Sequence, residues 1–99
     1  MDQSLVNNVK YSVASLENDK LGDWATTPWT FHLNNTMEAT GHWKGQWIDH
    51  RIQGINAVSV EITLNNGSHD GFDVYFLGPT HFIAVKGGLF YRLGKKLGY

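Results

Sequence analysis

The sequence predicts a mainly β domain: a small antiparallel meander that closes as an up-and-down barrel of about eight short strands, with one N-terminal helix. Three observations predict it. From residue 24 onward the apolar residues recur at every second position, the period of a half-buried strand. Turn residues (Asn, Gly, Pro) punctuate these runs at a spacing of roughly 8–12 residues. Aromatic residues make up 13% of the chain, including four tryptophans, and such rings favour pleated surfaces. The 99 residues show no internal repeat, low-complexity tract or linker, so one domain over 1–99 is expected, with the barrel over about 21–93.

Before the period changes, Val6, Val9, Val13 and Leu16 fall at spacings of 3, 4 and 3, which predicts a helix over residues 4–16 with Asp2 or Ser4 as its cap. Val9, Tyr11 and Val13 also alternate as a strand would. Glu17-Asn18-Asp19-Lys20 then forms a polar turn. The strands that follow centre on Trp29-Phe31-Leu33, on Val58-Val60-Ile62-Leu64, on Phe72-Val74-Phe76, on Phe82-Ala84-Lys86 and on Leu89 to Leu93. The turns between them are Asn34-Asn35, Gly54, Asn65-Asn66-Gly67-Ser68, Gly78-Pro79 and Gly87-Gly88, where Asn and Gly supply the positive φ values of hairpin turns.

The stretch TMEATGHWKGQWIDHRI, residues 36–52, reads as strand. Gly41, Trp43, Gly45 and Trp47 share one face, and His42, Lys44, Gln46 and Ile48 the other. Each indole then lies over a neighbour without a side chain, where a barrel must bend. A three-residue loop over Asn34 to Thr36 pairs Trp29 with Gly41 and Thr27 with Trp43, gathering the aromatics on one side. A two-residue loop would exchange the faces.

Composition excludes several function classes. A net charge of −1 speaks against a duplex-binding protein, which needs a basic face. The charge is uneven, with Lys86, Arg92, Lys95 and Lys96 and no acid over 74–99, read as a solvated basic tail on an acidic body. With no cysteine, disulfides, thiolate nucleophiles and Cys-ligated zinc are out. No run reaches the ~20 apolar residues of a membrane span, and none near Met1 suits a signal peptide, so a soluble cytoplasmic protein is expected.

Leu21-Gly22-Asp23-Trp24 places Gly-x-Trp at the start of the strand series, and Phe90-Tyr91-Arg92 stands near its end. In this the chain resembles the lipocalin-like (calycin) superfamily of small antiparallel barrels. WTFHLNNTMEATGHWKGQW is similar to a hairpin of short lipocalin-like domains, differing at Asn35, where that pattern has Gly. The resemblance implies that Trp24 and Arg92 pack together to close the barrel, with guanidinium against indole.

Candidate chemistry is thin. His69-Asp70 reads as part of a solvated turn, and His42, Asp49 and His50 lack a third definite metal partner. No nucleophile elbow or phosphate loop occurs. The sequence therefore predicts no catalytic residue, no metal and no cofactor. It predicts a binding module that holds a small apolar or amphipathic molecule in the barrel or at its mouth. The expected lining is Trp29, Phe31, Trp43, Trp47, Phe72, Phe76 and Tyr91, with His32, His50, Tyr75 and Tyr91 as polar groups at the rim. The alternative is a filled barrel acting through homo-oligomerisation or a protein partner. A dimer is expected because Ile48, Leu77, Ile83 and Val85 lie opposite the core.

Overall fold

The computed structural model describes residues 1–18 and 20–98, and among these it forms nine antiparallel strands. They are β1 (Val9–Glu17), β2 (Lys20–Trp24), β3 (Trp29–His32), β4 (Thr36–Ala39), β5 (Trp43–Asp49), β6 (Ala57–Leu64), β7 (His69–Leu77), β8 (His81–Lys86) and β9 (Leu89–Lys96). From β3 to β9 each strand pairs with the next, and β1 joins the two ends of this series by pairing with both β3 and β9. Eight strands thus close an up-and-down barrel. The ninth, β2, pairs along the far half of the same β1 edge that β3 uses (Ala14↔Trp24 and Leu16↔Leu21) and leaves its own outer edge free.

The N-terminal helix expected over 4–16 does not form. A 3₁₀ turn at Gln3–Leu5, with Asp2 accepting at its start, is followed by Asn8 in the left-handed region (φ +54°), and the chain then runs straight into β1. The alternation of Val9, Tyr11 and Val13 prevails over the helical spacing. Ring closure supplies the reason: both edges of this segment bond to neighbours, β3 and β9, and a helix can satisfy neither.

The β3–β4 hairpin keeps the expected faces but not the expected register. Its loop is Leu33-Asn34-Asn35, so that His32 faces Thr36 and Phe31 faces Met37. Asn35 takes the positive φ (+67°), and the Asn34 side chain accepts from the Thr36 backbone and hydroxyl. The chain then turns again at Thr40–His42, so Trp43 begins a new strand opposite Ala39 rather than facing Thr27. Gly41 accordingly sits in a turn, while Trp43, Gly45 and Trp47 do share the inner face. A Cβ on Gly45 would stand 2.7 Å from the Glu61 carbonyl oxygen, so its bare backbone is what lets β5 lie against β6.

Inward side chains fill the barrel. Tyr11, Phe31, Phe76 and Phe82 meet near its axis, with ring centroids 5.1–6.1 Å apart and mostly edge-to-face. Trp29 stacks on Phe82 at 5.6 Å and carries the array toward one end. The other end is plugged by the N-terminal segment: Leu5 and Val6 are buried in the core, and the Tyr11 hydroxyl donates to the Leu5 carbonyl at 2.8 Å. The Asp2 amide donates to Asn56 and the Met1 amine lies 3.5 Å from Asp49, tying the plug to the β5–β6 loop.

Gly94 makes room for this packing. A Cβ there would fall 2.1 Å from the Phe82 ring, whose partner across β8 and β9 is Gly94 itself. Gly94→Ala is expected to lower stability by about 1–3 kcal/mol or more, as overpacking does. Adding Phe82→Leu should recover part of that loss in urea unfolding.

Burial of Tyr11, helped by the nearby Asp2 carboxylate, raises its phenol pKa from 10.0 to about 12. Because the folded state holds this proton more tightly, the stability linked to it is intact below pH 10 and falls as pH rises toward 12. Denaturation midpoints measured across that window should drop in the native protein, and this component of the drop should vanish in Tyr11→Phe.

Candidate mouth site

With one end plugged and the lumen packed, the other end is where the interior meets solvent. It is framed by the Ala25–Thr27 connection between β2 and β3, by the Thr40–His42 turn, and by the top of β9. Each is anchored. The Ala25 amide donates to the Val13 carbonyl, and the Asn65 side chain donates to the Gly41 carbonyl, tying the β4–β5 turn to the β6–β7 turn. Between them lies a depression of about 600 Å³ whose walls include Trp29, Trp43, Leu64, Tyr91 and Arg92.

Its floor is aromatic. Trp29 and Trp43 meet edge-to-face at 5.3 Å, Phe72 lies 5.1 Å from Trp29, and Tyr91 lies 5.8 Å from Phe72. Trp29 and Phe72 are buried, while Trp43 and Tyr91 are half-buried and present ring surface outward. A bulge between β8 and β9 admits Tyr91 as an extra residue, so that Arg92 pairs with Ala84 on the inner side. The Arg92 guanidinium lies 3.9 Å from the centre of the Tyr91 ring and donates to the Tyr91 carbonyl at 2.9 Å.

Lys86 and Asp70, on neighbouring sides of this rim, form a short ion pair. The Lys86 ammonium holds the Asp70 carboxyl below the usual carboxylate range, and Asp70 in turn raises the ammonium's pKa. The two charges cancel at neutral pH. Arg92 has no carboxylate partner among the described residues.

Of the lining expected from the sequence, Trp29, Trp43 and Tyr91 line the mouth, and Phe72 is buried against Trp29 and Tyr91 behind it. Phe31 and Phe76 lie deeper, in contact with Tyr11 and Phe82. Trp47 belongs to the opposite half of the barrel: its indole N–H donates to the His32 carbonyl, and its backbone exchanges bonds with Asn35, so it braces the β3–β4 loop. The rim groups divide similarly. His32 bonds Asn8 on the outer surface, and His50 bonds Ser59 and packs edge-on to Tyr75 near the plugged end. Only Tyr91 stands at the mouth.

The expected contact of Trp24 with Arg92 is replaced. Trp24 is 42% exposed on β2, and among the described residues the cation–π contacts are those of Lys86 and Arg92 with Tyr91. The bulge turns the guanidinium to the inside, whereas Trp24, opposite Ala14, faces out. His69 and Asp70 begin β7 instead of lying in a turn, and no group of three His, Cys, Asp or Glu that could hold a metal occurs among the described residues. Sequence reasoning missed Arg92 and the Asp70–Lys86 pair as mouth groups. For Arg92 the signal was the alternation of β9, which the bulge interrupts; Asp70 and Lys86 lie on β7 and β8, and their pairing follows from how those strands meet in the closed ring.

A wider concavity of about 1340 Å³ runs over the outer face of β4–β7, lined by Glu38, Lys44, Gln46, Glu61, Thr63 and His69 among others. No Phe, Tyr or Trp lines it, which leaves the mouth as the candidate site. No helix among the described residues is long and apolar enough to cross a membrane. No family model matches the chain, and neither the curated proteins nor the solved structures contain a match to it.

Proposed function

We propose that the protein binds a small amphipathic molecule at the open mouth of its barrel, without carrying out chemistry on it. The observation that carries this reading is a depression of about 600 Å³ walled by Trp29, Trp43 and Tyr91, with the half-buried Trp43 and Tyr91 at its surface and Phe72 packed behind them. Ligand sites of roughly 300–1,000 Å³ with apolar walls and a few polar groups are the usual kind. The packed lumen directs the reading to the mouth and away from the interior. The eight-stranded up-and-down topology supports, at the level of fold, the kinship to lipocalin-like domains suggested by Gly22-Asp23-Trp24.

Micromolar binding, about −8 kcal/mol, is expected for a ligand that covers these rings. Tryptophan emission should shift on titration with a panel of small naphthalene and indole derivatives, and the melting temperature should rise. Trp43→Ala should weaken binding about tenfold, the loss of one good aromatic contact. Emission and melting temperature unchanged at saturating concentrations of the whole panel would remove the reading.

A second reading, homodimerisation, is favoured by one feature of the outer surface. Register places Trp24, Ala14, Leu93, Ile83 and Tyr75 in one row on the outer side of β2, β1, β9, β8 and β7, where Trp24 is exposed, Leu93, Ile83 and Tyr75 are half-buried and Ala14 is covered. Leu16 and Leu21 form a second pair beside it, and the outer edge of β2 is free. The corresponding rows over β4–β7, by contrast, hold Glu38, Lys44, Thr63 and His69. Sedimentation should show a dimer that Leu21→Lys with Trp24→Lys dissociates. An 11.2 kDa species at high concentration of the native chain would count against it.

A further inference from the structure

We infer that the mouth selects a flat aromatic monocarboxylate, its ring against Trp43 and Tyr91 and its carboxylate on the Arg92 guanidinium. The inference rests on the mouth being a binding site and adds the chemical class of its ligand.

Three features of the mouth define that class. The first is the state of Arg92. Its neighbours across the sheet are Ser15 and Ala84, both small, and Arg92 lines the depression. The guanidinium carbon lies 3.9 Å from the centre of the Tyr91 ring, and the bond to the Tyr91 carbonyl uses one of its five N–H donors. The remaining donors have no protein acceptor among the described residues. A guanidinium tethered in this way with donors free suits a carboxylate, which takes two parallel N–H bonds.

The second feature is charge. Lys86 is matched by Asp70, so these two and Arg92 together carry a single positive charge. Asp70 itself lines the depression. One negative charge on the ligand is balanced, whereas a dianion such as a phosphate monoester meets the Asp70 carboxylate without a second free cation to offset it.

The third feature is depth. Below the mouth, Trp29 stacks on Phe82 and Phe82 contacts Tyr11, Phe31 and Phe76. These contacting rings fill the axis of the barrel below the mouth, where an acyl chain would have to enter. A short planar ring needs no such entry, because the exposed surfaces of Trp43 and Tyr91 offer it edge-to-face or offset contact.

Calorimetric titration of the full chain with a naphthalene carboxylate, its neutral carboxamide and a long-chain fatty acid tests this. The carboxylate is expected to bind about 10- to 100-fold tighter than the carboxamide, the range of a charge-assisted contact, and the fatty acid no better than the carboxamide. Arg92→Gln should abolish the preference while leaving carboxamide binding in place. Arg92→Lys, which keeps the charge but not the fork, should retain only part of it, and so serves if the glutamine variant does not fold. Equal binding of carboxylate and carboxamide, a preference that survives Arg92→Gln, or tighter binding of the fatty acid would overturn the inference while leaving a mouth site. Failure of every probe would instead remove the mouth site.

Discussion

The Phe82 ring lies over Gly94, in space that any side chain at that position would fill, and the rest of the structure depends on this contact. β8 and β9 lie side by side there, and β9 must then reach β1 for the barrel to close. An eight-stranded barrel leaves an interior about as wide as its own side chains. With Phe82 seated across it, Tyr11, Phe31, Phe76 and Trp29 each find a ring to contact. Each such contact is worth about 0.5–1.5 kcal/mol beyond the area it buries.

A filled interior has consequences at both ends. At one, the N-terminal segment inserts Leu5 and Val6 and satisfies the buried Tyr11 hydroxyl, which leaves no buried side-chain nitrogen or oxygen unpaired among the described residues. At the other, the aromatic array continues through the buried Trp29 and Phe72 to the half-buried Trp43 and Tyr91. The rings that stabilise the barrel therefore run on into the walls of its mouth. Trp29 joins the two, stacked on Phe82 below and flanked by Trp43 above.

Much of the wall was legible residue by residue. Alternation placed Trp29, Phe31, Val58, Val60, Ile62, Phe72, Val74, Phe76 and Phe82 inside, and all of them are buried. The turns at Asn65–Ser68, Gly78–Pro79 and Gly87–Gly88 lie where their residues indicated. Where reading failed, a local pattern was ambiguous or broken. Val6, Val9, Val13 and Leu16 fit a helical stripe and Val9, Tyr11 and Val13 a strand, and nothing nearby decides between them. The hairpin register shifted because Asn35 tolerates a positive φ and ends the loop one residue earlier than expected. In β9 the bulge at Tyr91 moved Arg92 from its expected place beside Trp24 to the inner rim.

The sequence by itself determined which residues face inward along each regular strand and where the chain turns, because both follow from side-chain alternation and the φ preferences of Asn and Gly, which act over a few residues. Only the tertiary structure decided that residues 9–17 form a strand, since that depends on two edges, those of β3 and β9, waiting on either side. It also decided which of the inward aromatics meet solvent. Trp43 and Trp47 are four residues apart on one strand and share a face, yet Trp43 stands at the open mouth while Trp47 donates to the His32 carbonyl at the opposite end. Position along the barrel axis is set by how strands stagger around the closed ring, and that stagger is a property of all eight pairings together.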